Sequence, residues 1–428
     1  MIKVGFDYVS EKKKANLKDY QEVVKTIHKE IFEKTGLGND FLGWVDYEKH
    51  YDKDEVERII KKAKEFRENY NTLVVCGIGG SYLGARAVIE ALNGLHSEDK
   101  MDIVYLGNTL GPNYISQTMK YLKTRNYAVC VISKSGTTTE TSIGFRLLKN
   151  DLENKYGKEE ARKRIVAVTD RAKGALKTLA TNEGYECYVL PDDIGGRYSV
   201  ITPVGLFPIA CAGIDVKAFL EGYFEGQREY DNPDVFTNEA YKYACQRNFL
   251  YKEGYAAEML ISYELQNKML IEWWKQLFDE SEGKSNKALL ATSATFTTDL
   301  HSMGQFIQEG SKVLFETIIY VENPTDDITI PFDKEDLDGM NYIADKKLSF
   351  VNHKAYIGTL KAHSEVGNVP NITLTLDKLD AKNIGHFMSF FMNACAMSAY
   401  LLGVNPFNQP GVEIYKKNMF HLLGKKGY

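Results

Sequence analysis

The sequence predicts an α/β protein with mainly parallel sheets, and two observations support this. Between residues 70 and 190, short apolar runs typical of buried strands alternate with segments of helical periodicity. This alternation is typical of βαβ units, whose parallel strands are covered by helices on both faces. The rest of the chain again mixes strand-like and helix-like segments, so the same fold class is expected there.

The strands predicted in the first half are uninterrupted apolar runs, at residues 73–76, 103–106, 127–132 and 165–168. Helical periodicity is found before and between them, at residues 17–32, 55–70, 83–92, 114–122 and 138–154. Ligands of parallel sheets collect at the carboxyl ends of the strands. The loops that follow the strands are therefore the first candidates for a binding site.

In the second half, residues 204–278 are predicted to be largely helical. Strands are predicted at residues 288–291, 313–320 and 372–376, with helices at 297–310 and 385–402.

A chain of 428 residues is too long for one ordinary core and suggests two domains. Pro-Asp-Asp and Gly-Gly clusters mark a turn-rich connection within residues 188–200, and we place the domain change there. We expect an N-terminal helical segment at 1–55, a first α/β domain at 56–195 and a second at 196–428.

Composition excludes several classes of partner. A net charge of −5 gives no general affinity for nucleic acid or an anionic membrane, although a local site could still bind an anion. No apolar run reaches the length of a membrane span, and the first residues lack an apolar signal-peptide core. The six cysteines are scattered without a C-x-x-C pair, which favours buried free thiols in a reducing compartment. A cytoplasmic location is expected.

Two common catalytic patterns do not occur in the sequence. The eight histidines form no H-x-H or H-E-x-x-H pattern, so no metal site is predicted. Gly-x-Ser-x-Gly is also missing, which argues against a nucleophile-elbow hydrolase.

The first candidate site is the glycine cluster after the strand at 73–76. Gly77, Gly79 and Gly80 allow positive φ and close approach of a ligand to the backbone, and Ser81 is predicted to cap the next helix. A strand, a glycine turn and a helix N-terminus together can bind an anion. The spacing fits neither a P-loop nor a dinucleotide fingerprint, and a simple tight turn is the alternative.

The second candidate site is the segment 133–141, SKSGTTTET, which follows the strand at 127–132. Its hydroxyls, its lysine and the N–H groups of the next helix suit a phosphate group. A helix cap with a Ser/Thr-rich loop is the alternative. Because both turns follow strands of one sheet, they should lie side by side, and this favours a phosphate site.

Four segments resemble motifs of the glucose-6-phosphate isomerase family in its shorter bacterial form. They are GIGGSYLGARA at 77–87, SKSGTTTET at 133–141, GGRYS at 195–199 and NPFNQPGVEIYK at 405–416. The resemblance implies two α/β/α sandwich domains and a homodimer with an active site between the domains. It also implies reversible conversion of glucose 6-phosphate to fructose 6-phosphate, without a metal or an organic cofactor.

The resemblance also implies the site residues. The catalytic group would be Glu280, His301, Lys416 and Arg197, and the substrate-binding group Gly80, Ser81, Ser133, Lys134, Ser135, Thr137, Thr138, Gln276 and Gln409.

The chemistry requires these residue types. One carboxylate, Glu280, can move a proton from C2 to C1 through a cis-enediolate. Arg197 can stabilise the negative oxygen that develops, and His301 with Lys416 can open the sugar ring. Glu282 is the nearest alternative base.

Two other functions stay open. A related isomerase could also accept mannose 6-phosphate. A non-catalytic sugar-phosphate sensor would keep the binding turns but would not need Glu280, His301 and Lys416, all of which this sequence has.

Overall fold

The structure is a computed structural model that describes residues 2–96 and 100–427. In these residues the strands form two five-stranded sheets. The strands are β1 (Lys3–Tyr8), β2 (Thr72–Cys76), β3 (Asp102–Leu106), β4 (Tyr127–Ile132), β5 (Ile165–Thr169), β6 (Glu186–Val189), β7 (Ala257–Ser262), β8 (Leu290–Thr295), β9 (Leu314–Val321) and β10 (Asn371–Leu376).

Helices cover both sheets, and the predicted α/β class is confirmed. They are α1 (Gln21–Phe32), α2 (Lys53–Asn69), α3 (Leu83–Asn93), α4 (Pro112–Leu122), α5 (Thr139–Tyr156), α6 (Lys158–Lys163), α7 (Ala175–Glu183), α8 (Pro203–Cys211), α9 (Val216–Tyr230), α10 (Glu239–Lys252), α11 (Lys268–Glu282), α12 (Leu300–Glu309), α13 (Leu348–Lys361), α14 (Ala381–Leu401) and α15 (Val412–Leu422).

The first sheet is fully parallel and has the order β3-β2-β4-β5-β6. From β2 the chain crosses to one edge, and from β4 it crosses to the other. The neighbours β2 and β4 therefore form a topological switch point, where a crevice opens at the carboxyl ends. Cys76 pairs with Val131, so the loops after these two strands begin side by side, as predicted.

The second sheet has the order β1-β10-β9-β7-β8, in which only the pair β1–β10 is antiparallel. The prediction of a largely helical stretch at 204–278 was wrong for β7. The sequence AEMLIS is rich in good helix formers, and tertiary packing overrides that preference. β1 and β6 were not predicted either, and β1 attaches residues 3–8 to the second sheet.

One hydrophobic cluster joins the two halves, with Val75 of β2, Leu260 of β7 and Phe391 of α14 among its buried members. Helix α3, which follows β2, packs against α11 of the second half. This contact brings the glycine turn of the first sheet close to the end of α11, where Glu280 lies.

Two further sequence expectations can be compared with the fold. All six cysteines are free thiols, and five of them are buried. Among the residues at 2–96 and 100–427, no helix has both the length and the apolar character needed to span a bilayer.

Candidate active site

A cleft of about 1000 Å³ opens where the two halves meet. Its walls come from the loops after β2 and β4, the segment 190–197, the last turns of α11, and α15 with the residue Gln409 before it. The predicted site residues that line it are Gly80, Ser81, Ser133, Lys134, Ser135, Thr137, Thr138, Arg197, Gln276, Glu280, Gln409 and Lys416. His301 is the one predicted residue that does not.

The glycine turn after β2 is packed tightly against the opposite wall. Gly79 has a φ of 57°, and a Cβ on Gly80 would lie 2.1 Å from the carbonyl oxygen of Gly196. Glycine at position 80 therefore allows two cleft-lining loops to touch. Ser81 ends a short 3-10 turn, and α3 begins at Leu83 with Tyr82 at the cap position, so the prediction that Ser81 caps the helix was wrong.

The loop after β4 is ordered by its own hydroxyls. Ser133 Oγ accepts from the N–H of Gly136 at 3.0 Å, and Ser135 Oγ accepts from the N–H and hydroxyl of Thr137 at 3.2 and 3.0 Å. Thr138 occupies the N-cap position of α5 without a side-chain capping bond. The loop thus stands at the positive end of an 18-residue helix, an anion-binding arrangement.

Lys134 in this loop has a partner that the sequence did not suggest. Its ammonium lies 2.8 Å from Asp192 Oδ1, on the turn that we had placed at the domain change. The lysine therefore joins the phosphate-binding candidate loop to the turn at 190–196.

The carboxylate of Glu280 is held by three side chains at the wall of the cleft. Gln409 Nε2 donates to Oε2 at 2.8 Å and Gln276 Nε2 donates to Oε1 at 3.2 Å. Arg197 Nη1 lies 3.4 Å from Oε2. The side chain of Glu280 stays 30% exposed, so a cleft ligand can reach the carboxylate.

The guanidinium of Arg197 is buried and joins three segments. Its Nε donates to Ser281 Oγ at 2.8 Å, and its Nη2 donates to the carbonyl oxygen of Pro406. Trp273 Nε1 donates to the carbonyl oxygen of Arg197 at 3.2 Å. These bonds fix the arginine beside Glu280 while it also lines the cleft.

Glu282, the alternative base, has a different environment. It is 1% exposed, and Arg247 Nη1 donates to its Oε1 at 2.7 Å. Arg247 also pairs with buried Glu258, so one guanidinium bridges two carboxylates. Glu282 does not line the cleft.

Helix α15 forms another part of the cleft wall. Lys416 lines it together with the less polar Tyr415 and Met419, and its ammonium lies 2.9 Å from Glu413 Oε1 on the preceding turn.

His301 is the second residue of α12, and its side chain is exposed. It lies outside the cleft that contains Glu280 and Lys416. Within one chain, the structure therefore brings together every predicted site residue except this histidine.

Sequence reasoning missed residues that hold the predicted site residues in place. Ser281 Oγ accepts from Arg197, Asp192 pairs with Lys134, and Lys284 Nζ donates to the carbonyl oxygen of Glu280. No local motif marks them, and the partners of Ser281 and Asp192 lie far away in the sequence. In the described part of the chain, no group of three or more His, Cys, Asp or Glu side chains is placed to hold a metal ion.

The fold and the cleft define a class of protein. Two linked α/β sheets place a hydroxyl-rich anion loop and an accessible carboxylate around one cleft, an arrangement suited to isomerising a small phosphorylated ligand. The family profile described as phosphoglucose isomerase matches residues 53–426. This chain belongs to the phosphoglucose isomerase family.

Similar proteins agree with this assignment. Glucose-6-phosphate isomerases from Staphylococcus saprophyticus and Staphylococcus aureus are each 55% identical over 414 residues, covering 96% of this chain and 93% of theirs. A hypothetical protein from Thermus thermophilus has a TM-score of 0.87 at 26% identity, covering 99% of this chain and 100% of its own. A glucose-6-phosphate isomerase from Chlamydia trachomatis shares the fold, with a TM-score of 0.78 at 22% identity, covering 95% of this chain and 84% of its own.

Proposed function

We propose that this protein interconverts glucose 6-phosphate and fructose 6-phosphate, with Glu280 as the group that moves the proton. Relatives that share 55% of its residues carry the name of this activity. The observation that carries the mechanism is that the Glu280 carboxylate and the hydroxyls of the loop 133–138 line the same cleft.

The phosphate group of the sugar binds at the loop after β4. Hydroxyls of Ser135, Thr137 and Thr138 and the first-turn amides of α5 offer donors to its oxygens, and the helix dipole favours its negative charge. Lys134 adds a positive charge at the rim, shared with Asp192. Anchoring this end leaves the other end of the sugar to reach α11.

The proton transfer uses Glu280 twice. Its carboxylate takes the C2 proton of the open-chain aldose, and the C–H electrons form the C1–C2 double bond of an enediolate. The carboxylic acid then returns the proton to C1, while a proton passes from O2 to O1 and C2 becomes the carbonyl. Arg197 offers positive charge to the enediolate oxygens.

Ring opening needs an acid and a base near the ring oxygen and O1, for which we propose His301 and Lys416. Because His301 is exposed and lies outside the cleft of its own chain, it would act in the cleft of a second copy of the protein. The proposed assembly is therefore a homodimer with shared sites.

An exposed apolar surface supports this assembly. We call residues 328–350 the apolar arm, because large apolar side chains in it face solvent, among them Leu337 (89% exposed), Tyr342 (77%) and Phe332 (65%). Exposed apolar patches of this kind mark protein–protein contacts.

The six free thiols suit a reducing compartment, and we propose a cytoplasmic location.

A coupled assay with fructose 6-phosphate, run with and without a chelator, tests the function. Glu280→Gln should lower kcat by roughly 100- to 10,000-fold, the usual contribution of a general base, while calorimetry still detects fructose 6-phosphate binding. Glu272→Gln is the matched control, because Glu272 lies two turns earlier on α11 and pairs with Lys275.

The same assay separates the alternatives. A sensor would bind fructose 6-phosphate without turnover in the unmodified protein, and mannose 6-phosphate as a second substrate would reveal the broader isomerase. Full activity of Glu280→Gln would move the base to another residue.

A further inference from the structure

We infer that Lys284 is a positioning residue, whose ammonium clamps the end of α11, which carries Glu280, to the segment that carries Gln409. This inference rests on the proposed function. Lys284 does not line the cleft, so it would act through the groups that it holds.

All three N–H bonds of the ammonium go to backbone carbonyls. Lys284 Nζ lies 2.9 Å from the carbonyl oxygen of Glu280, 2.6 Å from that of Ser281 and 2.7 Å from that of Asn405. The first two belong to the last turn of α11, where carbonyls lack helical partners. The third belongs to a segment more than 120 residues further along the chain.

The clamped segments meet again at the carboxylate. Gln409, four residues after Asn405, donates to Glu280 Oε2 at 2.8 Å. Arg197 makes a parallel connection, from Ser281 Oγ to the carbonyl of Pro406. Two cations thus hold adjacent carbonyls, at 405 and 406, to the end of α11. The distance between Glu280 and Gln409 therefore depends on both.

The charges around Lys284 make this clamp sensitive to pH. Burial and, as a smaller cause, the positive charge of Arg197 lower the pKa of Lys284 to about 8. Glu280 and Glu282 on α11 and the Cys395 thiol on α14 act in the opposite direction. Above about pH 8 the amine has only two N–H bonds for three carbonyls, so one contact is lost.

Steady-state kinetics between pH 6.5 and 9.5 on Lys284→Met and Lys284→Arg test the inference. A displacement of about 1 Å at a reacting group can cost about 100-fold in rate. We expect Lys284→Met to lower kcat by roughly 10- to 100-fold with little change in KM. Lys284→Arg, whose charge does not titrate in this range, should recover part of kcat and move the alkaline decline of kcat to higher pH.

Lys287→Met is the matched control, since Lys287 Nζ donates at 2.8 Å to the Leu402 carbonyl and touches neither Glu280 nor Gln409. Its kcat should stay within about twofold of the parent, by the same reasoning. Equal kcat for both Met variants, or a change in KM alone, would overturn the inference. If Lys284→Met does not fold, the Lys284→Arg profile decides, and an unshifted alkaline decline is the negative result. Loss of activity in Glu280→Gln without loss in Lys284→Met would sink this inference and leave the proposed function intact.

Discussion

Arg247 Nη1 donates to Glu282 Oε1 at 2.7 Å in the interior of the second half. Glu282 lies two residues after Glu280, whose carboxylate faces the cleft. Residues two apart on a helix point to different sides. One side of α11 therefore offers Glu280 to the cleft, and another commits Glu282 to a buried ion pair. The same helix supplies an accessible carboxylate and a buried, paired one.

Arg247→Met should destabilise the protein strongly, because it leaves Glu258 and Glu282 buried without a positive charge. Breaking a buried pair by removing one partner costs about 3–5 kcal/mol. Chemical denaturation measures the free energy of unfolding. Arg228→Met is the control, since its pair with Glu48 is exposed and should be worth about 0–1 kcal/mol. Similar losses in both variants would contradict the buried-pair argument.

Ser135→Ala should mainly weaken substrate binding. It removes a hydroxyl that orders Thr137 and lines the cleft. We expect KM to rise at least about tenfold, because a hydrogen bond to a charged group contributes about 1.5–3 kcal/mol. Initial rates across substrate concentrations separate KM from kcat. Thr124→Ala, whose hydroxyl bonds Tyr121 O outside the cleft, should leave KM unchanged. An unaltered KM in Ser135→Ala would count against the phosphate loop.

Asp279 should make stability depend on pH. Burial raises the pKa of Asp279 to about 6, above the usual value of about 3.9 in an unfolded chain. The folded state then binds the proton of Asp279 more tightly than the unfolded state does. The resulting stabilisation of the folded state is fully present below about pH 4 and is lost as pH rises through about 6. Asp279→Asn keeps an acceptor for the Ala291 N–H and does not titrate.

Thermal melting at pH 4.5 and pH 8 measures this effect. Asp279→Asn should raise Tm relative to the parent at pH 8, and the difference should shrink at pH 4.5. Asp40→Asn, at an exposed position, should show no such trend. A difference in Tm that is equal at both pH values would disprove the assignment to Asp279.

The proposed sharing of active sites between two copies predicts complementation between inactive variants. The Glu280→Gln and His301→Ala proteins are unfolded together and refolded, so that mixed dimers form. In a mixed dimer, the cleft of the His301→Ala chain keeps its own Glu280 and would receive His301 from the Glu280→Gln chain. About a quarter of the parent activity should return, because half of the dimers are mixed and each has one intact site. Each variant refolded alone is the control. No recovery, despite dimers by light scattering, would contradict the sharing of His301.

The sequence was sufficient for the features that depend on neighbours along the chain. Apolar runs marked β2, β4 and β5, and the position of hydroxyls and glycines after β2 and β4 identified the candidate anion-binding edge. It failed for β7, because backbone pairing with β8 and β9 overrides the helix preference of its residues. Ser81 failed as a cap because the turn at Gly79 delays the helix.

The sequence by itself determined the α/β class, the family and the candidate groups, because these follow from local periodicity and ordered motifs. Only the tertiary structure decided that Glu280 faces the cleft while Glu282 is buried, that Gln409 and Arg197 reach Glu280, and that His301 lies elsewhere. These outcomes depend on contacts between residues far apart in the sequence, by 35 positions for Arg247 and Glu282 and by 83 for Arg197 and Glu280. Local preference carries no information on such contacts, since they form only when the chain packs into its tertiary structure.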